Sequence, residues 1–196
     1  EENSEYFQNL AYILVTNPNG GETLDRSTIQ TISWKFNNTN FRLCCQERHL
    51  PWFIDTSSGF NVEMLEETNL IAGLSIQGPT SAAVLINAGY QSIDQLKPFE
   101  MIKVTDDILI SRTGFTGDLG YEIFLPNKLS TAVWNNLWKA GEDLGIRAIG
   151  FNALNIARIE TGFIIANSDF ITSEHAVRND RAKKPDEIGM SWMVDM

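Results

Sequence analysis

The chain is short of cysteine, histidine and positive charge, and each shortage removes a class of function. Its 196 residues include two cysteines, Cys44 and Cys45, and they are adjacent. Strand neighbours point to opposite faces, so this pair is poorly placed for a disulfide and reads as two thiols in a strand. Reduced thiols, with no secretion signal recognisable in the sequence, fit a cytoplasmic protein. The two histidines, His49 and His175, have no Cys/His spacing around them that would suit a metal, and no nucleophile–base pair can be picked out. Lys plus Arg number 15 against 25 Asp plus Glu, a net charge of −10 with no concentrated basic stretch, which argues against a nucleic-acid partner. The densest basic run, Arg178 to Lys184, contains Asp180 and reads as a solvated loop. No apolar run approaches the roughly 20 residues of a membrane span.

What is present suits a soluble globular chain: 43% apolar and 20% charged residues, enough for one sizeable domain or two lobes sharing a core. Leu10–Thr16, Thr28–Trp34 and Phe41–Cys45 read as strands separated by Asn17-Pro-Asn-Gly-Gly21 and Asn37-Asn-Thr-Asn40, an expected antiparallel meander. Leu70–Gln77 is a further strand, and Gly78-Pro79 opens a helix expected to run to Asn87 and close near Gly89. Phe99–Thr105 and Ile108–Ser111 flank Asp106-Asp107 as a hairpin, and Tyr121–Leu125 is another strand. Ser130–Leu144 carries Val133, Leu137, Ala140 and Leu144 at helical spacing, with Ser130 as N-cap and Gly145 as stop. Trp134 and Trp138, four apart on that helix, are expected to pack in the core. A last helix covers Asn152–Glu160 and ends at Gly162. Strands and helices without regular βαβ alternation predict an α+β fold, mainly antiparallel sheets with flanking helices.

The densest signal is Ser111-Arg-Thr-Gly-Phe-Thr-Gly-Asp-Leu-Gly-Tyr-Glu-Ile123. Glycines 114, 117 and 120 allow tight turning between two strands, which on physical grounds alone is a hairpin loop. A strand follows it rather than a helix, so it is not a dinucleotide-binding loop. Glu122 stands out because it alternates with Tyr121, Ile123 and Leu125 and so projects away from an apolar face. A carboxylate there can accept two parallel N–H bonds from an amino-pyrimidine edge such as a pterin offers.

The run Arg112 to Glu122 resembles the signature loop of the glycine-cleavage T-protein family. Four further segments resemble that family in the same order: Asn17–Gly21, Leu74-Ser-Ile-Gln-Gly-Pro79, Asn155-Ile-Ala-Arg-Ile-Glu-Thr-Gly162 and Pro185-Asp-Glu-Ile-Gly189. The resemblance implies a T-protein-like folate-binding fold, tetrahydrofolate as cofactor, and transfer of a one-carbon group from a small-molecule donor. It implies Glu122 as the pterin clamp and Asp25, four after Gly21, as the catalytic aspartate, with a plain turn cap as the other reading of Asp25. Gln46 takes the place of a family asparagine at the pterin. Cys44, Arg112 and Tyr121 complete the implied cofactor-binding set. The family also admits a lipoyl carrier protein as partner.

One departure is Leu154, where the family carries an arginine for the folate tail. The pattern resumes at Arg158, and the Asn152-Ala-Leu-Asn155 version resembles the family's tetrahydrofolate-dependent demethylase branch. Arg158 and Glu160 are open to either a functional role or a buried ion pair. A different implied outcome is a non-catalytic folate-binding member supporting iron–sulfur protein maintenance. Both ends read as cut, so residues 1–196 are expected to be a partial domain without the family's C-terminal barrel.

Overall fold

The computed structural model describes residues 11–16, 32–35, 40–45, 50–172 and 175–191. Two four-stranded antiparallel sheets carry the fold. The first contains β1 (Ala11–Thr16), β2 (Ile32–Lys35), β3 (Asn40–Cys45) and, after helix α1 (Leu50–Thr56), β4 (Glu63–Glu66). Their order is β2-β3-β1-β4, so the expected meander is corrected: β1 lies between β3 and β4 and does not touch β2. Residues 17–31 are too many for a hairpin turn, whereas β2 and β3 are close in sequence and do pair.

The second sheet contains β5 (Ile71–Gln77), β6 (Met101–Lys103), β7 (Leu109–Ser111) and β8 (Gly120–Pro126), in the order β5-β8-β7-β6. β6 and β7 form the expected hairpin, with Thr105 Oγ1 accepting from the Ile108 amide at 3.0 Å in its turn. Strand alternation splits this sheet sharply. Leu74, Ile110 and Ile123 are register partners on one face, and helices α2 (Ser81–Asn87) and α3 (Ser130–Gly141) cover that face. Leu85, Ile93, Ile110, Ile123 and Leu125 are fully buried there. Each such side chain contributes about 1.5–3 kcal/mol of transfer free energy.

The helices follow the sequence pattern with three differences. α2 begins at Ser81 because Gly78, at φ 115°, makes a turn whose amide donates to Leu119 O at 2.8 Å. α3 is entered from a 3-10 turn, Asn127–Leu129, so Ser130 is already helical and bonds Asn127 O instead of capping. It tightens to a 3-10 turn at Glu142–Leu144 and stops at left-handed Gly145. Third, Trp134 and Trp138 are 43% and 37% exposed, stacked on each other at 6.3 Å, and not in the core. Val133, Leu137 and Gly141 form the buried stripe, and each Trp sits one position off it. Helix α4 (Phe151–Glu160) ends at Gly162, φ 81°, close to expectation.

Candidate functional site

The second sheet's other face is polar where the glycine loop begins and apolar farther along. Ser75, Glu122 and Ser111 are register partners across β5, β8 and β7, so they share one row. Two residues along, Phe124 stands on the same face and packs against Ile71, Met101, Leu109 and Cys44 of β3. This face therefore looks toward the first sheet, and Glu122 projects into the space between the sheets beside the Phe124–Cys44 contact.

Glu122 is held there by hydroxyls. Thr113 Oγ1 donates to its Oε2, and Ser111 Oγ lies 2.7 Å from Thr113 Oγ1 and 3.4 Å from the Glu122 carbonyl oxygen. Ser111 is fully buried and Thr113 nearly so. Burial pushes the Glu122 carboxyl above its ordinary range, and the Thr113 bond pulls it partly back. Among the described residues no hydrogen bond reaches Oε1.

The glycines of the loop are explained by what they touch. A Cβ on Gly114 or on Gly120 would overlap the side-chain amide of Gln77, which lies against both. That amide donates to Ser75 Oγ at 2.9 Å and to Thr113 O at 3.4 Å, and accepts from Thr116 Oγ1 at 3.3 Å. Gly117, φ 74°, presses on Thr161 just after α4, and Phe115 stacks on Phe163 at 5.5 Å. Three of the five resembling segments thus meet at one place: the Gln-Gly-Pro turn, the glycine loop and the end of α4.

The sequence-predicted residues divide accordingly. Glu122 and Cys44 face the inter-sheet space, on opposite sheets. Arg112 and Tyr121 are not brought to them. Alternation turns Arg112 away from Ser111 and Thr113, and its guanidinium donates to Leu96 O at 2.8 Å. Tyr121 is 3% exposed within the helix-covered core. Asp25 and Gln46 lie outside the described residues. Leu154 is half-buried on α4. Arg158 resolves as the structural ion pair: it is buried, bonds Asn155 Oδ1 at 2.8 Å and Phe163 O at 3.0 Å, and pairs with Asp169 rather than Glu160. Backbone donation from Ile165, then Arg158, hold the Asp169 carboxyl below its ordinary range. Sequence reasoning missed Ser75, Gln77, Ser111 and Thr113. For Ser111 and Thr113 the signal was available, since pairing the strands around the loop places both on the Glu122 side.

A family model described as "GCVT N-terminal domain" matches residues 6–196. The chain belongs to this GCVT family. It is 33% identical over 151 residues to an aminomethyltransferase of Halothermothrix orenii, covering 76% of this chain and 40% of that protein. It is 31% identical over 175 residues to a trimethylamine-oxide aldolase of Ruegeria pomeroyi, covering 82% of this chain and 22% of that protein. The chain thus spans less than half the length of these relatives, whose names are those of enzymes. In fold it is similar to the glycine cleavage system aminomethyltransferase T from Bartonella henselae, with a TM-score of 0.74 at 20% identity over 96% of this chain and 56% of that one. The expected α+β, T-protein-like fold is therefore the observed one. Among the described residues of this GCVT domain no group of three or more His, Cys, Asp or Glu could hold a metal ion. Among them, too, no helix is long and apolar enough to cross a membrane.

Proposed function

We propose that this chain forms the pterin-holding part of a tetrahydrofolate-dependent one-carbon transferase, with Glu122 gripping the amino edge of the pterin. The observation that carries this reading is the state of Glu122. It is a carboxylate between two sheets, with Oε2 fixed by Thr113 and Oε1 without a partner among the described residues. A half-buried carboxylate with one open oxygen can take donors from a ligand, and an amino-pyrimidine edge offers two parallel N–H groups to it. Phe124, Leu109 and Cys44 supply an apolar wall beside it, suited to a flat ring.

Tetrahydrofolate would supply the nitrogens that carry the one-carbon unit. The chain's own residues hold and orient it. Asp25 takes the role of orienting the reacting amine and balancing the cationic character that develops during transfer. Gln46 gives the pterin an amide contact beside the Glu122 carboxylate. In this reading Arg112 and Tyr121 shape the loop and core instead of touching the ligand, as their Leu96 bond and burial favour.

The donor is an aminomethyl group on a lipoyl carrier protein, following the relatives named aminomethyltransferase. A methylated amine is the second reading. It is favoured by Leu154, where an arginine is absent, and by the similarity to a protein named trimethylamine-oxide aldolase. The reading places the protein in the cytoplasm, apart from nucleic acid and membranes, as its charge and thiols favour. Titration of the protein with a reduced folate tests the pterin site, and turnover of Asp25→Asn tests the aspartate. An Asp25→Asn variant with undiminished transfer removes its catalytic role.

A further inference from the structure

Glu122 is joined to two hydroxyls whose directions of donation are not fixed by geometry. Thr113 Oγ1 is bonded to the carboxyl Oε2, Ser111 Oγ is 2.7 Å from Thr113 Oγ1, and Ser111 Oγ is 3.4 Å from the Glu122 carbonyl oxygen. With the carboxylate ionised, Ser111 donates to Thr113 and Thr113 donates to Oε2. With the carboxyl protonated, the chain runs the other way: Oε2–H donates to Thr113, Thr113 to Ser111, and Ser111 to the Glu122 carbonyl. Hydroxyls alone can serve both states, because each is donor and acceptor at once.

We propose that Thr113, backed by Ser111, is a positioning residue that keeps the Glu122 side chain aimed between the sheets and competent to accept the ligand's N–H groups. This rests on the reading of Glu122 as the pterin clamp. Thr113 occupies one lone-pair direction of Oε2, which restricts rotation of the carboxyl and leaves Oε1 open. It also opposes the effect of burial, which favours the neutral acid. Protonation removes the negative charge that strengthens bonds from the ligand's N–H groups, so the protonated form binds the ligand more weakly. The neighbours on β5, on β7 and just after it are uncharged: Ser75, Gln77, Ser111 and Thr113. From the facing sheet the described titratable groups on the Cys44 side are Cys44 itself, exposed Glu63, and Arg42 paired with Glu67 at 3.0 Å. Burial and Thr113 alone account for the displaced titration of Glu122.

The test is titration of the Glu122 carboxyl in the full chain, followed by its side-chain carbon-13 shift in labelled protein, with Glu122→Gln to assign the signal. Thr113→Val is expected to raise the midpoint by about one pH unit, the scale of one lost hydrogen bond to a charged group. Thr113→Ser is expected to restore it, and Ser111→Ala to raise it part of the way. Reduced-folate binding over the same pH range is expected to fade on the acid side at the same midpoint in each variant. An unmoved midpoint in Thr113→Val, or in Thr113→Ala should the valine variant not fold, overturns the relay. A moved midpoint with unmoved folate binding overturns the positioning role. Wild-type protein that binds no reduced folate at any pH overturns the pterin reading instead, and the carboxyl midpoints still decide the relay.

Discussion

The Gln77 side-chain amide lies against Gly120, where a Cβ would otherwise be, and this contact ties the Gln-Gly-Pro turn to the glycine loop. Gly120 is therefore small because Gln77 needs the space, and the two residues should be energetically coupled. Gly120→Ala should destabilise the protein by about 1–3 kcal/mol, the usual cost of overpacking. The same substitution made on a Gln77→Ala background should cost clearly less. Urea unfolding of the four proteins in this cycle measures the coupling, and additive effects would show that the contact is incidental.

Gly117 answers to a different constraint. Its φ of 74° is left-handed, and a Cβ would also overlap the Thr161 side chain. Gly117→Ala should cost about 1–2 kcal/mol for the backbone alone. Shortening Thr161 to Ser should recover only part of the loss, because the backbone strain stays. Full recovery in the double variant would assign the whole cost to Thr161.

Glu122 carries a pH prediction whose sign follows from burial. Its folded titration lies above the ordinary value of 4.5, so ionisation opposes folding. The stability that goes with the neutral acid is fully present below 4.5 and is lost as pH rises through the raised value. Glu122→Gln, which cannot ionise, should therefore melt higher than wild type at neutral pH and converge with it in acid. A melting-temperature difference that does not change with pH would contradict this.

Asp169 has the opposite sign. Its titration is held below the ordinary 3.8 by the Ile165 amide and then by Arg158, so its contribution is present above 3.8 and lost as pH falls through the lowered value. Asp169→Asn should lower the melting temperature at neutral pH and flatten the acid limb of the stability curve. An unchanged acid limb would mean that another carboxylate governs it.

The stacked indoles of α3 should matter little to the fold. Trp134→Ala removes an exposed ring and should cost no more than about 1.5 kcal/mol, the scale of an aromatic pair. Leu137→Ala, three positions along in the buried stripe, should cost about 2–5 kcal/mol. Chemical denaturation of both variants separates a core helix face from a surface one.

These contrasts show what the sequence could reveal. The strands of the second sheet were legible because their alternation is strict, and Glu122 was legible because a lone carboxylate interrupts Tyr121, Ile123 and Leu125. The first sheet's order was not, since residue alternation specifies faces and leaves neighbours open. Trp134 and Trp138 were misplaced because i, i+4 spacing identifies a shared stripe without saying which stripe is buried. Motif membership put Arg112 and Tyr121 near the ligand, whereas strand alternation turns both from the Glu122 face. Gln77 was invisible because its fit between Gly114 and Gly120 is a contact between segments far apart in sequence.

The central claim is that Glu122 clamps a pterin, and equilibrium binding of a reduced folate tests it most directly. Tryptophan fluorescence of the full chain at neutral pH can follow saturation in wild type and in Glu122→Gln. The predicted result is saturable binding by wild type and at least about tenfold weaker binding by the variant, since a lost charge-assisted pair is worth about 1.5–3 kcal/mol. Equal affinity in the two proteins, with the variant folded, would contradict the claim.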